Sequence, residues 1–506
     1  MSDDSLRNSV YSEQYDDAST LAIAYSGVNS SYNSNAGSNN GLWIVDMIVS
    51  NGEGAGSTVH VTSGMVTSES ANGLTLNSGI LASLGYGSGA SNAQVKIGFL
   101  ATRDDNALNH LTYSSLSDIA DGIGEPMSFN PLAFGASLAM NNAGASVCVL
   151  PTDGNTNGDF DEALDVLETK DTYAIAPMSG VITDANWSTH VTTQSKPENK
   201  KERLAFLNPE LVMTTGNGRW DQTSANKVTD CETMRDASAA VSNKRIFNVR
   251  PDTGYVEETR HIATLSPSWI RESFTSHTSV FDSVGNECKF AADVSIGSKT
   301  YRAGEIITAT LWATLINSGW GGASGLVTVL APVPGFYYCA ANAGATVGKR
   351  PEQPLTNVAI AGIKETRGAS DYYSEAQLNT MGEGGNYIMT QSSPVAPIAS
   401  RHQMSTDVTS IAKRELSVTT ALDYTAKFLR KALNPFIGKN VISPAFLKLC
   451  NTVLVGVGLF LTREGVLNDF QVVSVTQDAI TPDSLQVEVN VLVKYPVNYI
   501  KITLVF

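Results

Sequence analysis

The stretch with the strongest claim to chemistry is DGNTNGDFDEALD (153–165), whose spacing approaches a calcium-binding loop. Asp153, Asn155, Asn157 and Gly158 fall at loop positions 1, 3, 5 and 6, but position 12, which needs a bidentate carboxylate, holds Leu164. A turn running into an acidic helix start accounts for the same residues. GATVGKR (344–350) approaches a phosphate loop, yet its glycine spacing is one residue short and Arg350 stands where a magnesium-binding hydroxyl is required. It reads as a helix end followed by a basic turn. Gly85, Gly87 and Ala90 match a dinucleotide fingerprint only loosely, without strand–helix context. No GxSxG elbow occurs, and the six histidines (His60, His110, His190, His261, His277, His402) make no HExxH or paired-ligand spacing. Five scattered cysteines (Cys148, Cys231, Cys288, Cys339, Cys450) without CxxC spacing favour reduced thiols made in a cytoplasm over a disulfide framework or a zinc site. The residues predict no catalytic group, no metal and no cofactor.

What must be positioned is therefore surface rather than a reacting atom. At 506 residues the chain is too long for one ordinary core. Its low charged content of 16% with 42 glycines suggests a β-rich surface of Ser, Thr and Asn. A formal charge of −15 argues against a nucleic-acid partner, which would need a basic footprint. The polar, acidic start MSDDSLRNSVYSEQYDD predicts no secretory signal, and the longest apolar run, Val453 to Leu461, predicts no direct membrane insertion.

Pattern shifts divide the chain into an arm (1–20), a β-rich segment (21–95), an α/β middle domain (96–214), an insertion (215–325), a return to the middle domain with a linker (326–400) and a carboxy-terminal domain (401–506). LWIVDMIV (42–49), STVHVTSGMV (57–66) and AQVKIGFLA (94–102) read as strands. In the middle domain, LAFGASLAMNNAG (132–144) and FDEALDVLETK (160–170) read as helices, and SVCVLPT (146–152) and DTYAIAPMS (171–179) as strands. Strand–helix–strand order there implies a parallel unit. ADVSIGSKTYRAG (292–304) reads as a hairpin about Gly297-Ser298, and PGFYYCAANAG (334–344) as a helix closed by Gly344. In ELSVTTALDYTAKFLRKALN (415–434), Val418, Ala421, Leu422, Thr425, Phe428, Leu429, Ala432 and Leu433 make one apolar face. Ser443-Pro444 starts a second helix. FQVVSV (470–475), LQVEVNVLVKY (485–495) and NYIKITLVF (498–506) complete the chain as strands, the last with no polar tail to shield it. An unshielded terminal strand attracts other chains, so the expected work is assembly.

These residues together resemble the tail sheath proteins of contractile bacteriophage tails. The resemblance is carried by PGFYYCAANAG (334–344), RPEQPLTNVAIAGI (350–363), RHQMSTDVTSI (401–411), RELSV (414–418), LDYTAKFLRKAL (422–433), FIGK (436–439) and YPVNYIKITL (495–504). NPLAFGASLAMNNAG (130–144), YAIAPMS (173–179) and KKERLAF (200–206) are similar to that family's middle domain, and SVYSEQYDD (9–17) to its amino-terminal arm, without the Pro-Gly that usually precedes Val-Tyr.

The resemblance implies a multidomain α/β and α+β fold: a sheath core, an α/β middle domain, β-rich outward-facing insertions, and extended strand arms at both ends. It implies a virion structural protein, assembled in the host cytoplasm, forming stacked six-fold rings as a helical homopolymer. Its implied partners are the tail tube, baseplate and tail terminator proteins, and its implied work is to contract by rigid-body rearrangement. Strand exchange between subunits would use Val10, Tyr11, Glu13 and Tyr15 of the arm, and Asn498, Tyr499, Ile500, Lys501, Ile502, Thr503, Leu504, Val505 and Phe506 at the end. Lys413, Arg414, Lys427, Arg430 and Lys431 are candidates for contact with the tube, an ordinary solvated helix face being the alternative. Two other readings stay open from the residues alone: a capsid or surface-layer protein, and an α/β hydrolase-like enzyme.

Overall fold

The computed structural model describes residues 108–123, 131–152, 156–211, 224–261, 326–366, 373–393 and 396–498, with short strands and isolated residues elsewhere. From Pro131 the chain forms α1 (Pro131–Ala143), α2 (Asn157–Glu168), β1 (Ala174–Ile175), α3 (Asp184–Gln194), β2 (Leu204–Leu207), α4 (Ser224–Val241), β3 (Ile246–Arg250) and β4 (Thr253–His261). It continues with β5 (Leu326–Pro334), α5 (Phe336–Gly348), α6 (Glu375–Glu383), β6 (Asn386–Thr390) and β7 (Ala399–His402). The carboxy-terminal unit holds α7 (Leu416–Leu433), α8 (Pro444–Arg463), β8 (Leu467–Gln477) and β9 (Leu485–Val493).

The centre is a sheet of order β7-β6-β3-β2-β1. β1, β2, β3 and β6 run parallel, and β7 joins antiparallel with Ile388 opposite His402. Every residue of β2 and β3 is buried, as a parallel strand covered on both faces requires. Alternation sorts them: Leu204, Phe206, Phe247 and Val249 face α5, while Ala205, Leu207 and Ile246 pack with Phe160, Leu164, Trp187 and Val191 of α2 and α3. The rings of Phe206 and Phe247 stack at 5.0 Å across adjacent strands.

Several sequence expectations change here. The strand at Val147–Val149 pairs antiparallel with Leu111–Tyr113 and leaves Cys148 exposed, so the parallel units are β1-α3-β2 and β2-α4-β3, one step further along. α4 and β3 fall within the stretch read as an insertion from 215. Because β3 occupies an inner position of the buried sheet, that reading does not hold for 224–250. β4 and β5 form a long antiparallel ladder from Thr253↔Pro334 to His261↔Leu326, and residues 262–325 connect its far ends. The hairpin about Gly297-Ser298 pairs Val294–Ile296 with Lys299–Tyr301. Ala93–Phe99 pairs with Leu42–Val49, which also pairs with Thr58–His60, so it joins a sheet of the earlier β-rich segment.

α5 does not stop at Gly344 but runs to Gly348. A Cβ at Gly344 would lie 2.2 Å from the carbonyl oxygen of Ala139 in α1, so this glycine permits close helix packing rather than ending a helix. The calcium-like stretch becomes the start of α2. Thr156 caps it, its hydroxyl accepting from the Asp159 amide, and Asp159 returns a bond from the Thr156 amide at 2.8 Å. Leu164, the misfit at loop position 12, is 4% exposed inside the core.

In the carboxy-terminal unit, Val418 and Ala421 of α7 pack with Val457 and Leu461 of α8, with Val466, and with Leu467 and Val493 of the ribbon β8–β9. Ser443 caps α8, accepting from the Phe446 amide, with Pro444 at the first helical position. The predicted apolar face of α7 is corrected at Leu422, which is 37% exposed, while Asp423 beside it is buried. α8 is, by length and composition alone, apolar enough to cross a membrane. The uninterrupted run Val453–Leu461 understated its length, and Cys450, Leu454, Val457, Gly458 and Leu461 supply a buried stripe from Cys450 onward.

Candidate functional site

Three arrangements bear on assembly, each built from stretches far apart in sequence. The first fastens α7 to the central sheet. Arg245, next to β3, donates from Nη1 and Nη2 to the two carboxylate oxygens of Asp423, both at 2.7 Å. The Tyr173 hydroxyl donates to Asp423 Oδ2 at 3.1 Å. Burial and the neighbouring carboxylate push the Tyr173 phenol well above its usual range, so it stays a donor. Burial opposes the charge on Arg245, but the bonds to Asp423 outweigh it and raise the guanidinium. Glu202 pairs with Arg430, and the Lys427 ammonium lies 5.0 Å from the centre of the Tyr173 ring and 3.7 Å from Asp171 Oδ1. Close by, Arg203 is fully buried, donating to the carbonyls of Leu167 and Lys170 at 2.5 Å each and meeting His190 Nε2 at 2.6 Å. Burial, with the charge of Arg203, pushes the His190 imidazole down to about 4, so a neutral ring accepts that bond.

The second is a hub on Glu415, whose side chain is completely buried just before α7. Its Oε1 meets His402 Nε2 at 2.8 Å, the Arg414 Nε at 3.1 Å and the Asn498 amide nitrogen at 2.9 Å; the Gln403 amide approaches Oε2 at 3.4 Å. Burial works to raise this carboxyl, but the bonds and charges of His402 and Arg414 prevail and hold it below its usual range. Gln403 also accepts from the Leu355 amide at 2.9 Å. Four stretches that carry the resemblance, at 350–363, 401–411, 414–418 and 495–504, thus meet around one carboxylate.

The third is the ribbon. β8 and β9 pair from Leu467↔Val493 to Gln477↔Leu485, and among the described residues neither has another strand beside it. Leu485, Val487, Val489, Val491 and Val493 alternate with the outward Gln486, Glu488, Asn490 and Leu492. Only Val491, Val493, Leu467 and Phe470 of the ribbon join the helix-backed core, so its far half is apolar on one face without that support. A lone two-stranded ribbon of this length is marginal in water and gains most from a third strand.

Of the exchange residues, Val10, Tyr11, Glu13, Tyr15, Tyr499, Ile500, Lys501, Thr503, Leu504, Val505 and Phe506 lie outside the described residues. Asn498 is half-buried at the hub, and Ile502 is exposed; neither is in a strand. The five basic residues do not form one free patch: Arg414, Lys427 and Arg430 pair with Glu415, Asp171 and Glu202 of the same chain. Lys413 reaches Asp407 at 3.2 Å but stays half exposed, and Lys431 is exposed. Sequence reasoning missed Arg245, Tyr173, Glu202, Asp423 and Glu415. The available signal was Ser417, Thr419 and Thr420 in place of charges on the polar side of the first turns of α7, which are buried all round from Leu416 to Ala421.

No protein-family model matches the chain, and no curated protein does. Its neighbours among solved structures are contractile tail sheath proteins. One is the helical sheath of the anti-feeding prophage in its contracted state, at 11% identity and TM-score 0.47 over 80% of this chain and 89% of that one. Another is the contracted sheath complex of the extracellular contractile injection system PVC, at 13% identity and TM-score 0.47, covering 80% and 88%. A third is the sheath tail protein from Desulfitobacterium hafniense, at 12% identity and TM-score 0.37, covering 69% of this chain and 63% of that one.

Proposed function

We propose that the chain is a structural subunit of a contractile tail sheath that self-assembles by adding strands from neighbouring copies to the β8–β9 ribbon. The observation that carries this reading is the ribbon itself, a long amphipathic pair with no further strand among the described residues. The sequence supplies matching pieces. In NYIKITLVF (498–506), Ile500, Ile502, Leu504 and Phe506 alternate with Tyr499, Lys501, Thr503 and Val505, the same period as β9. Head-to-tail donation of this kind is heterologous and propagates rather than closing as a dimer. Stacked six-fold rings around a tail tube, with ends at a baseplate and a terminator, are the assembly this reading implies, in a virion or a related particle. Contraction would proceed by rigid-body movement, the middle and carboxy-terminal domains travelling together through the Arg245–Asp423 joint. Lys413 and Lys431, the two cations left outward, are the proposed contacts with the tube.

The test is deletion of residues 498–506 with negative-stain microscopy beside thermal unfolding. The full chain is expected to form tubes or stacked rings, and the truncated chain to keep its thermal transition yet form none. Normal tubes from the truncated chain contradict strand exchange; closed shells or flat lattices from the full chain contradict the sheath.

A further inference from the structure

We propose that Glu415 and Asn498 form the root of the donated carboxy-terminal segment, a fixed point that sets its direction and reach. This rests on the strand-exchange reading and adds the residues that position the strand. After β9 ends at Val493, the chain crosses the surface with Tyr495 53% and Val497 79% exposed and Pro496 half-buried between them. Asn498 then turns inward and its amide donates to Glu415 Oε1 at 2.9 Å, across 83 residues of sequence. The carboxylate is itself immobile, held by His402 and Arg414 and completely buried. Among the described residues the Asn498 side-chain oxygen is buried there with no hydrogen-bond partner, a cost that a side chain merely lying on the surface would avoid by turning outward.

The consequence is geometric. Fully extended, the segment Tyr499–Phe506 spans about 26–29 Å from the anchor. Released from Glu415, the segment from Lys494 to Phe506 would swing from Val493 with no defined heading. A tethered strand binds its acceptor at an effective concentration set by tether length and direction, so the root decides which neighbour's ribbon is presented with Tyr499–Phe506.

Asn498→Ala removes the donor with the rest of the side-chain amide and leaves Glu415 with His402 and Arg414. Trypsin cleavage after Lys494, followed by mass spectrometry on protein kept below its assembly concentration, reads the anchor directly, with cleavage after Lys501 as internal control. The variant is expected to be cut after Lys494 about tenfold faster, with an unchanged rate after Lys501, an unchanged thermal transition and a critical concentration for assembly raised about tenfold. Asn498→Asp sets two carboxylates together and should act more strongly. An unchanged cleavage rate after Lys494 in Asn498→Ala overturns the anchor. So does faster cleavage with unchanged assembly, because the bond would then position nothing. Failure of the strand-exchange reading shows separately, as normal assembly of the chain lacking 498–506.

Discussion

Asp423 lies on the buried side of α7, and an isolated carboxylate there would be untenable. Its two guanidinium bonds from Arg245 and one from Tyr173 make it a fastener instead, since removing one partner of a buried pair typically costs about 3–5 kcal/mol. His190 shows the same economy without an acid. It is neutral in the fold, at about 4 against 6.5 when free, while the unfolded chain takes up a proton below 6.5. Its contribution is therefore fully present above pH 6.5, is lost as pH falls toward 4, and levels off below. That amounts to about 3 kcal/mol at 1.4 kcal/mol per unit. Urea unfolding of the wild type and of His190→Gln between pH 7.5 and 4 checks it: the wild type should lose stability over that window relative to the variant, and parallel curves contradict the assignment. None of these partners was legible in the sequence. Periodicity locates apolar faces, and a carboxylate at Asp423 beside Leu422 looks like a solvated position until a guanidinium from another element is placed against it.

Elements were far more legible than their partners. α7, α8, β8 and β9 announce themselves through spacing, the Ser443-Pro444 start and strict alternation, because a surface that is half buried must alternate. Gly344 misled, because a glycine near the end of an apolar run signals either a helix stop or a close contact, and only the position of Ala139 decides. Gly344→Ala is therefore expected to destabilise by about 2 kcal/mol, overpacking against backbone outweighing the roughly 1 kcal/mol of better helix propensity. Gly456→Ala in α8, where nothing lies within 4 Å, is the control and should stabilise slightly. Equal effects of the two substitutions in urea unfolding would contradict the close-packing account of α1 and α5. The parallel order was misassigned by one step for a related reason. A short apolar strand such as Val147–Val149 carries no mark of which sheet it will join.

At the scale of the molecule, a three-layer α/β body carries a carboxy-terminal unit whose ribbon pairs with no further strand among the described residues. Arg245–Asp423 and Glu202–Arg430 bind the two, and the Glu415 hub ties Asn498 back to the junction. The expectation of assembly came from the alternation at 498–506, most of which lies outside the described residues. An acceptor for it was not legible, because a strand's own pattern says that it needs a partner and not whose. The central claim is that the ribbon accepts strands from other copies. A reconstruction of the assembled polymer by electron cryo-microscopy tests it most directly, by counting the strands in the sheet that contains Leu467–Gln477 and Leu485–Val493. The account predicts more than two, with at least one drawn from residues 498–506 of a different subunit. A ribbon still two-stranded in the polymer, with neighbours touching it only through side chains, contradicts it.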